Sequence, residues 1–150
     1  MANSTHFHIL KQGTAYWNHW RQEHPEIQPD LSKAKLSTLL LGSINLRHVN
    51  LRMADLSKVD LKMADLREAD LSLAILQMAD MRMVNASNAN FNGADLKDVD
   101  LRGANLHSAN LRVADLTGAD LREAILDNAI LEGTILTNTK RRRNIWNLFS

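Results

Sequence analysis

A leucine recurs at every fifth position between residues 31 and 136. Of the 22 positions in this series, 19 are leucine, and the exceptions are Met81, Ala86 and Phe91. A period of five matches neither the 3.6-residue period of a helix nor the two-residue period of a strand. Each group of five residues is therefore predicted to be one unit of backbone geometry that the chain repeats.

The residues around each leucine repeat as well. Two positions earlier stands Ala 14 times and Val four times, and the position between is Asp or Asn 16 times. The leucine and the small residue point to the same side of a short extended segment, since side chains alternate along a strand. The two following positions are mostly polar and include Gly and Asn, which tolerate tight turns. We expect a corner of about a right angle after each segment.

Four such units close one coil of 20 residues, and coils stack at about the 4.8 Å spacing of strands. The series therefore predicts an all-β solenoid, a quadrilateral β-helix of about five coils with a core of leucine and small residues. Ala86 would leave a gap in this core. We expect its neighbours in the series, Met81 and Phe91, to fill that gap.

The aromatic residues divide the chain into three sections. Six of the seven lie outside residues 30–138, and both prolines stand just before that section. We expect an N-terminal helical cap and linker over 1–29, the β-helix over 30–138, and a basic and apolar tail over 139–150. The helix is expected over about residues 5–23, where Phe7, Leu10 and Trp17 at helical spacing would cover the first coil.

The repeats resemble those of pentapeptide-repeat proteins, which are written A(D/N)LXX. Examples are ADLRE at residues 64–68 and ADLKD at residues 94–98. The resemblance covers about residues 30–138 and implies a right-handed quadrilateral β-helix. The stretch YWNHWR at residues 16–21, followed by PDL at residues 29–31, is similar to a leader found in some bacterial members. Most members have no assigned activity, so the resemblance predicts the fold better than the role.

The composition argues against several kinds of site. A net charge of +1 and 45% hydrophobic residues suit one soluble domain. Cysteine is absent, which excludes disulfides and thiolate ligands and favours a reducing, cytoplasmic location. No two of the six histidines have the i, i+4 spacing that pairs metal ligands on a helix. No nucleotide-binding, protease or hydrolase motif occurs, and a filled rod offers no concave site along its length. We expect no enzyme, metal or cofactor.

Residues 20 apart should stack into columns on the four faces of such a rod. One column holds Lys62, Arg82, Arg102 and Arg122, and an aspartate stands two residues before each of them. A basic stripe alone would suggest phosphate binding. With one carboxylate for each cation, we expect surface ion pairs instead.

Exposed apolar side chains are the stronger binding signal. Met53 and Leu73 share one column, and Met63 and Met83 share a column on the opposite face. Methionine adapts readily to partner surfaces, although scattered exposed apolar side chains are also ordinary. Together with the basic column, these four residues form the candidate interaction surface for a protein partner of unknown identity.

The C-terminal end holds a second candidate contact. Ile130 and Ile135 replace Asp or Asn in the last coil, and the tail contains Trp146 and Phe149. The tail could cap the last coil, or the end could form a homodimer, as related proteins often dimerise through their C-terminal ends. The basic run at residues 140–143 leaves attachment to a membrane or nucleic acid as a third interpretation, which we do not favour.

The sequence favours a non-catalytic structural or protein-interaction module. The alternative is a DNA mimic, since some pentapeptide-repeat proteins resemble DNA in width and charge and bind type II topoisomerases such as gyrase. Residues 31–136 carry 14 acidic and 12 basic residues. The rod therefore lacks the strong negative field that a DNA mimic needs to compete for a cationic groove.

Overall fold

The computed structural model describes residues 1–141 of the chain. Two helices, α1 (Ser4–Lys11) and α2 (Thr14–Glu23), precede a stack of four-sided coils. Each side pairs with the next coil through an isolated bridge, from Asp30↔Asn50 to Asp120↔Lys140. All these bridges are parallel and join residues 20 apart. The prediction of four five-residue sides in each coil is confirmed.

The corners of the coils follow one backbone pattern. We call the Leu, or its replacement, at each fifth position the central residue of its unit. The second residue after each central residue has a positive φ, between 49° at Val113 and 74° at Gly118. The next amide donates to the carbonyl of the central residue, as Ala34 N–H does to Leu31 O at 3.0 Å. This is the type II turn pattern, with a left-handed third residue. Most corner residues are not glycine, so the coil stack holds them in a conformation that costs roughly 1–2 kcal/mol.

The Asp or Asn before each central residue stabilises the same corner. Its side-chain oxygen accepts the amide N–H two residues later, as Asp60 Oδ1 does from Lys62 N–H at 2.9 Å. Asn50 Oδ1 accepts the corresponding bond from Arg52 N–H at 3.1 Å. These Asx turns explain why Asp and Asn dominate this position of the repeat.

The core of the rod is filled by the residues that the five-residue series identifies. Leucines such as Leu51 and Leu71 are fully buried, and so are the small residues beside them, such as Ala54. Met81, Ala86 and Phe91 are also completely buried. That Met81 and Phe91 fill the space beside Ala86 stays a prediction.

The N-terminal cap consists of two helices rather than the one helix expected over residues 5–23. Gly13 separates them at φ 102°, a conformation that favours glycine because a side chain there would be strained. Both helices still contribute to the core, since Leu10 of α1 and Trp17 of α2 are buried in it. The break lets the cap place two short helices at the first coil.

The cap also pairs with the backbone edge of the first coil, which has no coil before it. Asn18 Oδ1 accepts a hydrogen bond from Asn45 N–H at 2.8 Å, and Asn18 Nδ2 donates to Ser43 O at 3.1 Å. Trp17 Nε1 donates to Asn45 O at 2.6 Å. Side chains of α2 thus replace the missing strand on this side.

The edge of the first coil is covered on two of its four sides. On the Asp30 side, Asp30 O accepts from Asn3 N–H at 2.9 Å, and Asp30 N–H donates to His6 Nδ1 at 3.1 Å. On the other two sides, the amides of Lys35 and Leu40 have no acceptor among residues 1–141. Leu40 is 80% exposed there.

The last coil lacks a comparable cover within the described part of the chain. Ile130 and Ile135 are each 47% exposed, and the amide of Leu131 has no acceptor among the same residues. Trp146 and Phe149, the tail residues of the predicted cap or dimer contact, lie outside the described residues. The role of the tail therefore stays a prediction.

Asn18→Ala should destabilise the protein, although alanine favours a helix more than asparagine does. The change leaves Asn45 N–H and Ser43 O without partners, so we expect a loss of about 1–3 kcal/mol in the free energy of unfolding. Urea denaturation measures this loss, and amide hydrogen exchange should become faster at Asn45. The control is His19→Ala, at an exposed position of α2, which should change neither result. Unchanged exchange at Asn45 in Asn18→Ala would contradict the proposed edge pairing.

Candidate interaction surface

The basic column lies along one corner of the rod. Lys62, Arg82, Arg102 and Arg122 each follow a central residue, and the aspartates before them are joined by parallel bridges from coil to coil. The cations therefore stack as predicted. Their spacing is set by the backbone, so the column is as regular as the coils themselves.

The three arginines of this column form ion pairs with the aspartates two residues before them. The distances from Nη2 to the carboxylate oxygen are 2.5 Å for Arg82, 2.7 Å for Arg102 and 2.6 Å for Arg122. Weaker contacts connect the coils, since Arg82 Nε lies 3.8 Å from Asp100 Oδ2 and Arg102 Nε lies 3.9 Å from Asp120 Oδ2. The ion pairs expected for the arginines are confirmed.

Lys62 differs from the arginines of its column. Its backbone amide donates to Asp60, but within residues 1–141 its ammonium group forms no ion pair with a carboxylate. The next residue along the chain is Met63. The charge of Lys62 still acts on Asp80 of the next coil and helps to lower the pKa of that carboxyl. A cation without a close ion pair therefore lies beside an exposed apolar side chain.

The ion pairs shift the pKa values of both partners. The side-chain hydrogen bond from Arg102 is the main cause that lowers the pKa of Asp100, while burial opposes it. The same bond raises the pKa of Arg102. Asp80 and Asp120 follow the pattern, since hydrogen bonds from their arginines lower their pKa values. These carboxylates stay ionised to a lower pH than a free aspartate does.

Two exposed methionines border the basic column. Met63 and Met83 are 60% and 61% exposed, and both occupy left-handed corner positions, at φ 60° and 58°. Gly103 occupies the same corner in the next coil. A Cβ added to Gly103 would lie 2.6 Å from the Met83 sulfur. The glycine therefore gives the methionine side chain room to lie along the corner.

Met83, Gly103, the four cations and the acidic Glu123 line a groove of about 340 Å³. A second groove of about 390 Å³ lies on the other side of Arg102 and Arg122 and is also lined by Asp98. Both grooves are shallow and open to solvent, and the core beside them is filled. Missing side chains at glycine corners create hollows that the core itself does not have.

The second apolar column lies at the opposite corner, two sides away along each coil. Met53 and Leu73 are each about half exposed, and both have a positive φ. The Leu73 side chain reaches toward the next coil, where a Cβ added at Gly93 would lie 2.8 Å from Leu73 Cδ2. The structure therefore brings Met53 together with Leu73, and Met63 with Met83, but it does not bring the two pairs together.

The sequence interpretation missed Met78, a third exposed apolar corner. Its side chain is 58% exposed, and its φ is 58°. It occupies the same place in its five-residue unit as Met63, so the register of the repeat could have identified it. It lies at a different corner from both candidate columns.

The described part of the chain shows neither a metal site nor a membrane span. Residues 1–141 contain no group of three or more His, Cys, Asp or Glu side chains placed to hold a metal ion. No helix within that range has the length and apolar character needed to cross a bilayer.

Arg102→Gln should raise the pKa of Asp100, because the main hydrogen bond to its carboxylate is lost. The folded-state pKa of Asp100 lies below the unfolded-state value of about 3.9, so the pair stabilises the fold above that pH. This contribution disappears as the pH falls through the folded-state pKa. The variant should therefore be less stable than the parent protein at neutral pH, and this difference should shrink in strong acid. Thermal unfolding over a pH series and an NMR titration of the Asp100 carboxyl carbon measure these effects.

The control for this prediction is Arg52→Gln. Arg52 donates to Ser72 Oγ at 3.1 Å and has no carboxylate partner in the described residues, so its loss should leave the pKa of Asp100 unchanged. A stability difference between Arg102→Gln and the parent that is the same at neutral and acidic pH would contradict the assigned role of the ion pair.

Comparison with known proteins identifies the relatives of the chain. The family described as pentapeptide repeats matches in eight copies, over residues 30–62, 54–85, 64–103, 79–118 and 100–138. The pentapeptide repeat protein Rfr23 from the cyanobacterium Cyanothece 51142 is 30% identical. The match covers 85% of this chain and 95% of Rfr23, with a TM-score of 0.61. No curated protein matches the chain.

Two further solved structures have lower TM-scores. HetL from the cyanobacterium Nostoc sp. strain PCC 7120, a pentapeptide repeat protein involved in heterocyst differentiation regulation, is 34% identical. That match covers 76% of this chain and 58% of HetL, with a TM-score of 0.30. QnrB1, a plasmid-mediated fluoroquinolone resistance protein, is 19% identical over 81% of this chain and 83% of its own, with a TM-score of 0.33.

Proposed function

Since the chain belongs to the pentapeptide repeat family, we propose that it acts as a rigid rod that presents one corner of its β-helix to a protein partner. The family fold is the right-handed quadrilateral β-helix, and its members are structural modules that are generally not enzymes. We also propose that this chain is non-catalytic and cytoplasmic. The division into 1–29, 30–138 and 139–150 belongs to the same proposal.

The observation that carries the proposal is the position of Met63 and Met83. Both occupy corners with φ near +60°, where glycine and asparagine are favoured and other side chains cost roughly 1–2 kcal/mol. Both also expose most of an apolar side chain to water. The corner conformation is imposed by the fold, but the choice of an apolar side chain that stays exposed at that corner is not. A contact with a partner would bury this apolar surface and offset the cost.

The surroundings of the two methionines indicate the chemistry of the partner. Lys62 offers an ammonium group without a close ion pair in the described residues, and the groove of about 340 Å³ beside Met83 offers space for a side chain. A segment with an apolar anchor and a neighbouring carboxylate would suit both features. The arginines further along the groove contribute less, because each is already ion-paired.

The DNA-mimic alternative has no support from the charges of the described faces. Arginine and aspartate alternate along the same corner, as Arg102 and Asp100 illustrate with their separation of 2.7 Å. Paired charges largely cancel at a distance greater than the Debye length of about 8 Å. A cationic DNA-binding groove would therefore meet little net field from this corner.

The double change Met63→Asn and Met83→Asn should abolish partner binding without weakening the fold. Asparagine tolerates a left-handed corner better than methionine, so the free energy of unfolding should stay the same or rise by up to about 1 kcal/mol. Partner binding is measured by affinity capture from native lysate over a series of salt concentrations. The parent protein should retain one specific protein that the double variant loses.

Met78→Asn is the matched control, because Met78 is an exposed methionine with the same φ at another corner. This variant should retain the partner. Failure of the parent protein to capture any protein at any salt concentration would count against the proposal. Equal capture by the parent and the double variant would show that the partner binds elsewhere on the rod.

The C-terminal end supports a second proposal, a homodimer of two rods. Ile130 and Ile135 are exposed where most coils have Asp or Asn, and the amide of Leu131 has no acceptor among residues 1–141. Two copies that meet at this end would bury the isoleucines of both. A tail that folds back over the same end would compete with the dimer.

The double change Ile130→Ser and Ile135→Ser should weaken the dimer by at least about tenfold, because it removes apolar surface from the centre of the contact. Sedimentation velocity over a dilution series measures the dimerisation constant. The control is Ile75→Ser, since Ile75 is a similarly exposed isoleucine at the same repeat position in the middle of the rod. A parent protein that stays monomeric at all concentrations would contradict the dimer. If a variant truncated after Thr139 no longer folds, the tail is instead a cap on the last coil.

A further inference from the structure

A surface cavity of about 310 Å³, open to solvent, lies where the N-terminal cap meets the first coil. Arg21 of α2 and Pro25 of the linker form one side. Asn45, Arg47 and His48 of the first coil form the other side. Two guanidinium groups and an imidazole therefore line one space, although they come from segments that are far apart in the sequence.

Arg21 is the most buried of these cationic groups, with only 8% of its surface exposed. Its Nη1 donates to Ile27 O at 2.9 Å, and its Nη2 donates to Arg47 O at 2.8 Å. A guanidinium has five N–H donors, and Arg21 Nε is buried without a partner. Within residues 1–141 no carboxylate forms an ion pair with it. Arg21 thus joins the linker to the first coil and still has donors to offer.

The other two basic residues of the cavity contact one carboxylate. Glu68 lies 3.2 Å from Arg47 Nη2 and 3.4 Å from His48 Nδ1. Arg47 Nε, like Arg21 Nε, is buried without a partner. Asp65 is the other acidic group of this face, and Arg67 already binds both of its oxygens, at 2.8 and 2.6 Å. Of the two arginines that line the cavity, Arg47 is therefore paired with a carboxylate, and Arg21 is not.

A buried cation without an adjacent anion is an expensive arrangement. Burial is also the main cause that lowers the pKa of Arg21, and the more distant Asp65 only partly opposes it. Neither packing nor the two bonds to carbonyl groups requires a full positive charge at this position. An anion that enters the cavity would lie close to the guanidinium group of Arg21 and offset the cost of burying its charge.

We propose that this cavity binds the phosphate group of a small molecule, or inorganic phosphate itself, between the guanidinium groups of Arg21 and Arg47. Arginine suits this ligand because its planar fork of donors matches the oxygens of a phosphate. The cavity has room for a phosphate and part of an attached group. Since the ligand would touch both α2 and the first coil, it would also hold the cap on the rod.

Inorganic phosphate is the probe for the first experiment, with chloride at equal ionic strength as the reference. Phosphate should raise the melting temperature of the full chain in a saturable manner, and it should show saturable line broadening in ³¹P NMR. Arg47→Gln should weaken phosphate binding by at least about tenfold, because it removes a charged donor from the site. Circular dichroism checks the fold of the variant. If Arg47→Gln does not fold, Arg47→Lys replaces it and should also weaken binding.

Arg112→Gln is the control variant. Arg112 lies near the other end of the rod and pairs with Glu132 at 2.9 Å, so its loss should leave phosphate binding unchanged. Glycerol 3-phosphate distinguishes the two sources of the phosphate group. Tighter binding of this ester than of inorganic phosphate would identify an esterified ligand, and the reverse order would identify the free ion.

Two results would overturn the proposal. One is a parent protein that responds to phosphate and chloride in the same way. The other is an Arg47→Gln variant that folds and binds phosphate as tightly as the parent. The Met63→Asn and Met83→Asn variant should bind phosphate normally, so the partner surface and the phosphate site can fail independently.

Discussion

The hydrogen bonds between residues about 20 positions apart are the interaction on which the rest of the structure depends. Leu61 N–H donates to Asp80 O at 2.8 Å, and Asp80 N–H donates to Val59 O at 2.9 Å. Because these bonds repeat on all four sides, each coil fixes the position of the next, and the leucines meet along one axis. Backbone pairing therefore keeps the strained corners in place. A left-handed methionine is tolerated only because its neighbours on both sides are already bonded.

The same backbone pairing explains why this chain departs from a regular five-residue repeat at its surface rather than in its core. Every inward position is filled by Leu, Ala or a close substitute, so the core leaves little freedom to vary. At the corners the coil stack fixes the backbone conformation, whereas the identity of the side chain can vary. A glycine there opens a groove, as Gly103 does beneath Met83, and an arginine pairs with the aspartate that makes the Asx turn. Corner side chains can therefore differ from coil to coil while the backbone of the coils stays the same.

The five-residue period predicted the coils, the buried leucines, the columns and the arginine–aspartate pairs, because all of them follow from one repeat length. It did not predict features that depend on how the cap meets the rod. The helical spacing of apolar residues continues past Gly13, so the sequence pattern concealed the break between α1 and α2. Asn18 and Arg21 looked like ordinary polar residues of a helix. Their roles arise from the open edge of the first coil, where they bond to Asn45 and Arg47, more than 20 positions later in the chain.

The two ends of a solenoid present the same physical problem, namely unpaired backbone groups and exposed core side chains. At the N-terminal end, polar side chains pair with that edge on two sides, and one of them, Arg21, brings a buried charge with it. A capping arginine that bonds only to carbonyl groups satisfies the backbone but leaves its charge uncompensated. The need for a counter-ion is thus a consequence of how this end is closed. The closure of this end thus leaves a charged donor without an adjacent carboxylate, whereas the arginines at residues 82, 102 and 122 in the regular coils are paired with aspartates.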